Sequence, residues 1–187
     1  NLPALVDALV RSGGNARDRG GRADLEDAID EAVALVHTAL AAPSVDPGVV
    51  PRVVNALCLG AELAESRGDP AGAESLLEES ELRALALGED TPVGWSTTAT
   101  VRVQLGDLRY REGRFSEARD AYRSAVPLLD ERLGSLPEDD DRARDAAVAL
   151  LRAVAVSTAL GDAEAMVADL GRAEPLLDRL LERRPGD

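Results

Sequence analysis

The stretch ATVRVQLGDLRYREGRFSEARDAYRSAVPLLD, residues 99–130, carries the clearest structural signal in the chain. Its pattern predicts two amphipathic helices separated by a tight turn at Gly113. In the first helix, Gly106 provides a small point where a neighbouring helix can pack closely. Aromatic and small residues recur at helical spacing on one face of the second helix: Phe115, Ala118, Tyr122 and Ala125. The stretch therefore predicts a helical hairpin.

A Leu-Gly pair, a tyrosine, a turn glycine, an aromatic residue and two alanines follow one another in this hairpin. This order resembles the tetratricopeptide repeat (TPR) family. The resemblance implies an all-α fold, an α-solenoid of about four antiparallel helix pairs wound into a right-handed superhelix. Tyr110 stands one place beyond the family's tyrosine position, which Arg109 occupies here.

The hairpin pattern recurs along the chain. Glycines that could end a first helix stand at 20, 68, 113 and 161, and prolines of the links stand at 47, 92 and 137. The glycines are 45 to 48 residues apart and the prolines 45 apart, so two independent markers give nearly one period. Repeats of this length resemble those of kinesin light chains and bacterial regulatory proteins. We therefore interpret residues 1–187 as one TPR-like domain with repeats at approximately 2–42, 48–87, 94–134 and 140–184.

Helices are predicted at 2–18, 24–42, 48–67, 70–87, 94–112, 116–134, 140–160 and 163–184. Residues able to cap second helices are Asp24, Asp69, Ser116 and Asp162. Neighbouring helices are expected to approach most closely at Ala61, Gly106 and Val154.

The composition disfavours or excludes several classes of partner and of catalytic chemistry. The chain has 187 residues with a net charge of −14, and all 21 basic residues are arginine. An acidic chain with 2% aromatic residues disfavours nucleic acid and anionic membrane surfaces as partners. The absence of lysine excludes a P-loop and Schiff-base chemistry and is typical of a GC-rich bacterial genome. One cysteine without a membrane-spanning stretch favours the cytoplasm, and the missing initiator methionine favours a piece of a longer protein.

Two groups of residues could carry chemistry. His37 and Cys58 could form a nucleophile pair, but a packed thiol and a helix-end histidine are favoured because no orienting residue is evident. The acidic run at 138–141 lacks the spacing of an EF-hand loop, and acidic residues are favoured at a helix N-terminus. We therefore predict no catalytic site, no metal and no cofactor.

Aromatic residues offer two alternatives. Phe115 and Tyr122 stand at positions that are core in the TPR family, whereas Tyr110 could face either the core or the groove. Trp95 could be an exposed contact residue, although a tryptophan folded onto the helix junction is favoured.

The resemblance also implies a binding surface, because the first helix of each repeat lines the concave groove. The proposed partner-binding residues are Asn55, Glu62, Glu65, Gln104, Asp107, Tyr110, Arg111 and Arg152, with Cys58, Thr100 and Val103 also in the lining. TPR proteins that hold acidic C-terminal tails use a Lys/Asn/Arg clamp, of which only Arg152 is present here. A basic or mixed segment is therefore favoured over an acidic tail, and a solvated groove without a ligand remains the alternative.

Three functions follow. The first is a non-catalytic protein–protein interaction scaffold that binds a peptide, a helix or a partner domain in its groove. The second is a sensor or regulatory arm of a larger bacterial signalling ATPase or caspase-like protease, with other domains of the same protein as partners. The least favoured is an enzyme, for which carboxylate chemistry would be the main resource.

Overall fold

The computed structural model describes residues 47–88, 91–133 and 140–183, together with residues 27, 30, 31, 33 and 34. Six helices lie in the three long ranges: α1 (Val50–Ser66), α2 (Pro70–Leu85), α3 (Pro92–Arg111), α4 (Phe115–Leu133), α5 (Asp140–Ala159) and α6 (Ala163–Arg183). A short 3-10 turn, Pro47–Val49, precedes α1. These ranges contain no strand, so the all-α prediction is confirmed.

The helix boundaries agree with the sequence pattern. Each of the last six predicted helices begins and ends within two residues of an observed one. The five isolated residues between 27 and 34 are all helical, in agreement with the helix predicted at 24–42. The helix predicted at 2–18, His37 and Asp24 lie outside the described residues, as do the side chains of the acidic run at 138–141.

The chain divides into two compact units, residues 1–97 and 98–187. In the first unit α1 packs against α2, and in the second α4 packs against α5 and α5 against α6. The cores consist mainly of alanine, valine and leucine, as expected from a composition with few aromatic residues. Two clusters in the second unit contain Tyr122 with Ala153, and Val126 with Leu150.

Three turns that join paired helices have the same construction. Gly68, Gly113 and Gly161 have φ values of +79°, +76° and +70°, a region that a glycine enters without steric cost. After each helix, the residue following the glycine donates its amide to a carbonyl five residues back, and the glycine donates to one three residues back. This double hydrogen bond is the Schellman motif, and it confirms the predicted turns at three of the four glycines, whereas Gly20 lies outside the described residues.

The starts of the second helices differ from one another. Asp69 accepts a hydrogen bond from the Gly72 amide at 2.9 Å, and Asp162 accepts one from the Ala165 amide at 3.0 Å, so both act as N-caps. The prediction for Ser116 is wrong, because α4 begins at Phe115 and places Ser116 inside the first turn.

In the second unit α3 approaches α4 closely at Gly106. A Cβ atom on this residue would lie 2.6 Å from Cδ1 and 2.9 Å from Cζ of Tyr122, so only glycine fits. In the first unit Ala61 is buried, but the tighter approach is made by the neighbouring Gly60 towards Val33. In α5 the small residue of the Tyr122 cluster is Ala153 rather than the half-buried Val154.

Candidate functional site

Helix α1 is enclosed on most of its circumference and leaves one narrow side exposed. Nine of its residues are buried, among them Val53 and Leu57. The exposed positions are Arg52, Asn55, Glu62 and Ser66, with Leu59 and Glu65 half-buried beside them. We call this set the α1 stripe. The structure therefore places Asn55, Glu62 and Glu65, three of the predicted binding residues, along one line on the helix.

Cys58 belongs to the core and not to the stripe. Its thiol is 7% exposed, and Sγ donates to Oγ of Ser80 in α2 at 3.9 Å. Burial raises the pKa of Cys58 to about 11; the carboxylate of Glu62 adds to the increase, and the Ser80 hydrogen bond opposes it. A thiol with this pKa is neutral at physiological pH, so it lacks the thiolate that a nucleophile or metal ligand requires.

Helix α3 has a comparable exposed line within the second unit. Thr100, Gln104, Asp107 and Arg111 follow one another at helical spacing, and the helix buries Val101, Leu105 and Leu108 on its other sides. We call these four residues the α3 stripe. Thr100 and Arg111 are exposed, whereas Gln104 and Asp107 are half-buried, and the side-chain oxygen of Gln104 is fully covered.

Asp107 is held in place by two other helices. Tyr122 of α4 donates its hydroxyl to Oδ1 at 2.7 Å, and Arg152 of α5 donates Nη1 to Oδ2 at 2.6 Å. Burial, followed by the hydrogen bond to Asp107 and the charge of Asp107, raises the pKa of Tyr122 well above its usual range. The predicted binding residues Asp107 and Arg152 are therefore brought together, and Asp107 is a fixed structural acceptor as well as a surface residue.

The aromatic residues divide as the family pattern predicts. Tyr122 is 2% exposed, Phe115 is half-buried against its cluster, and Trp95 is 2% exposed, so the contact role proposed for Trp95 does not apply. Tyr110 is 41% exposed, and its ring lies 5.3 Å from that of Phe115 at a tilt of 56°. It is therefore a surface aromatic next to the α3 stripe, with one edge supported by a neighbouring ring.

Sequence reasoning missed two ion pairs that connect the helices of the second unit. Arg119 of α4 donates to Asp162 at 2.7 Å, and Arg123 of α4 donates to Asp169 of α6 at 2.7 Å. The backbone hydrogen bond from Ala165, followed by the bond from Arg119, lowers the pKa of Asp162. A signal was available, because the partners are 43 and 46 residues apart, close to the 45 of Asp107 and Arg152. Opposite charges one repeat apart predict contacts between adjacent repeats.

The described ranges contain neither a cluster of metal-ligating side chains nor a membrane-spanning helix. No group of three or more histidine, cysteine, aspartate or glutamate residues there is arranged to hold a metal ion. None of the helices α1 to α6 is long and apolar enough to cross a membrane.

Comparisons with solved structures agree with this geometry. The chain is similar to BtubC (BKLC) from P. vanneervenii, with 18% identity, a TM-score of 0.52 and coverage of 100% of this chain and 85% of the other. It is also similar to a putative kinesin light chain with TPR-like repeats from Podosopora anserina, with 15% identity, a TM-score of 0.54 and coverage of 98% and 99%. A structure titled DHF58 filament matches with 23% identity, a TM-score of 0.56 and coverage of 98% and 96%. No protein-family model and no curated protein sequence matches the chain.

Proposed function

From the TPR-like helical repeat fold, we propose that the chain is a non-catalytic scaffold that binds segments of other proteins, at the α1 stripe in the first unit and at the α3 stripe in the second. Folds of this kind commonly mediate protein–protein interactions. The observation that carries the proposal is that α1 and α3 each bury several residues in the core and keep a line of mainly polar residues at exposed or half-buried positions. Polar residues needed only for solubility could lie anywhere on the loops or second helices. A line of polar residues on a helix that also contributes to the core is a narrow surface, which favours a binding role.

The charges of the two stripes favour different ligands. The α1 stripe carries Glu62 and Glu65 against Arg52, so the field there attracts a basic segment. In the second unit Arg111 and Arg152 lie with Asp107, so that surface has no acidic excess. We therefore assign the basic partner segment proposed from the sequence to the α1 stripe alone.

We also propose that the protein resides in the cytoplasm. Cys58 is a buried free thiol, which is compatible with a reducing compartment such as the bacterial cytoplasm. The regulatory-arm alternative would place another domain of a longer protein on the same stripes. That alternative rests on the family resemblance, and no residue in the described ranges favours it over a separate partner.

The test uses a displayed library of 12-residue extended peptides, selected on the immobilised protein and on two charge-reversal variants. Glu62→Arg changes the exposed α1 stripe, and Glu78→Arg is the matched control because Glu78 is exposed on α2 in the same unit. Peptides enriched on the parent protein should carry net positive charge. Their affinity should fall about three- to tenfold in Glu62→Arg, because exposed ion pairs are individually weak.

The two variants make the outcome decisive. An equal loss in Glu62→Arg and Glu78→Arg, or enriched peptides without positive charge, would contradict the assignment to the α1 stripe. Binding should also weaken with added salt, because exposed charges are screened over about 8 Å at physiological ionic strength.

A further inference from the structure

The second helices of the repeats are buried to different extents at the same position. Nine residues after the turn glycine stand Leu77, Tyr122 and Leu170. Leu77 is 4% exposed and Tyr122 2% exposed, whereas Leu170 is 46% exposed. Position for position, α6 presents to solvent an apolar site that α2 and α4 bury.

Leu170 is part of a larger exposed surface on α6. Val167 is 63% exposed and Leu181 61% exposed. With about 3.6 residues per turn, these three side chains fall within roughly 60° of one another around the helix. We define the α6 outer face by Val167, Leu170, Gly171, Glu174, Asp178 and Leu181, all of which are exposed.

A glycine of α6, Gly171, also distinguishes this face. It lies in the interior of α6, where glycine costs about 1 kcal/mol of helix stability relative to alanine. A Cβ atom built on Gly171 would meet nothing within 4 Å, so no contact inside the protein requires a glycine there. A missing side chain in the middle of an exposed apolar face allows a backbone from outside to approach closely.

The acidic residues of the α6 outer face indicate which kind of partner could bind there. Glu174 and Asp178 lie among the apolar residues of the face, and Glu164 and Glu182 lie at its edge. All four are exposed, and none pairs with a basic side chain anywhere in the described ranges. By contrast, the acids that face other helices in the same unit, such as Asp107 and Asp169, are each paired with an arginine.

We propose that the α6 outer face binds an amphipathic helix of a partner protein whose apolar stripe is flanked by lysine or arginine. The apolar side chains would contact the stripe, Gly171 would allow close packing of the two helices, and the flanking cations would pair with Glu174 and Asp178. A second copy of this chain fits poorly, because two α6 outer faces would place acid against acid. This surface is distinct from the α1 and α3 stripes, so either proposal can fail without the other.

The experiment uses a displayed library of 20-residue helices with a fixed leucine stripe. The flanking positions encode lysine, glutamate or glutamine. The parent protein and three variants are the labelled baits. Gly171→Leu fills the open point, Glu174→Lys reverses the central charge, and Leu82→Ser is the control because Leu82 is a 60% exposed leucine on α2. Denaturant midpoints verify folding, which Gly171→Leu should not impair because the site is open.

Helices enriched on the parent protein should carry lysine at the flanks. Their affinity should fall about tenfold or more in Gly171→Leu and Glu174→Lys, a loss of about 1.4 kcal/mol or more, and should be unchanged in Leu82→Ser. Enrichment without a lysine preference, or binding that Gly171→Leu leaves intact, would overturn the proposal. A concentration-dependent dimer in sedimentation that Gly171→Leu abolishes would also overturn it, because a second copy would then be the occupant.

Discussion

Helices α4 and α6 are second helices of neighbouring repeats, and they use corresponding positions in opposite ways. Tyr122 in α4 is enclosed by Gly106 and by a cluster with Ala153, and its hydroxyl bonds to Asp107. Leu170 in α6 is nearly half exposed. The repeat pattern therefore specifies a position on the helix, whereas burial of that position depends on whether another helix covers it.

The largest expected effect comes from truncating the two corresponding side chains. Tyr122→Ala should destabilise the protein by about 3–5 kcal/mol, because it opens a cavity in a packed core. Leu170→Ala should change stability by less than about 0.5 kcal/mol, since its side chain is already largely in solvent. Urea denaturation followed by circular dichroism measures both, and similar losses in the two variants would contradict the contrast.

Glycines of the same two regions provide the next test. Gly106→Leu should destabilise by about 1–3 kcal/mol, because the side chain would collide with the Tyr122 ring. Gly171→Ala should stabilise by about 0.5–1 kcal/mol, because alanine is the better helix former and the space is open. Denaturant midpoints of the two variants should therefore shift in opposite directions; no shift in Gly106→Leu would mean that this residue does not lie at a close approach.

A smaller effect should follow from removing the Tyr122 hydroxyl alone. Tyr122→Phe should cost about 1 kcal/mol, because a hydrogen bond to Asp107 is lost while Arg152 still pairs with that carboxylate. The pKa of Tyr122 is raised in the folded state, so the native protein holds this proton more tightly than the unfolded chain. Stability should therefore fall as the pH rises above about 10, the ordinary tyrosine value, and the decline should be shallower in Tyr122→Phe. Equal slopes for the two proteins would count against the hydrogen bond.

The smallest expected effect is at the N-termini of α4 and α6, where α6 has an N-cap side chain and α4 does not. Asp162 caps α6, whereas Arg114 precedes α4 and cannot accept the amide bonds. The pKa of Asp162 is lowered in the folded state, so its contribution is present above the unfolded aspartate value and is lost as the pH falls through the folded value. Acid titration of stability should be slightly shallower in Asp162→Asn, and Asp120→Asn, exposed in mid-α4, is the control.

Local signals in the sequence identified much of the fold. Glycines at 68, 113 and 161 marked three turns, because a residue with positive φ after the end of a helix is usually glycine. The core position of Tyr122 was implied by the resemblance to the TPR family, and Gly106 was identified as a point of close packing from its small size within the predicted helix. The single-domain interpretation of residues 1–187 stays a prediction.

The candidate site was harder to read, because it depends on what packs beside each helix. The pattern placed Cys58 in the groove lining, but Ser80 of α2 covers the thiol. It proposed Asp107 as a surface acid, and two neighbouring helices bind that carboxylate. The sequence did not reveal that the α6 outer face is exposed, since Leu170 has the same apolar character as its buried counterparts. Periodicity reports which side of a helix is apolar and not which neighbour covers it.

The three matching turns have a consequence for how such a chain can change length. The segment from Asp69 to Gly113 starts with the residue after one turn glycine and finishes with the next turn glycine, and its 45 residues span one full period. A tandem copy of this segment would start and finish with the same backbone conformation, so duplication would create no new turn geometry at either junction. Growth and loss by whole repeats are therefore conservative changes for the backbone, and unequal recombination of the gene can vary the number of repeats without a new turn geometry at either junction.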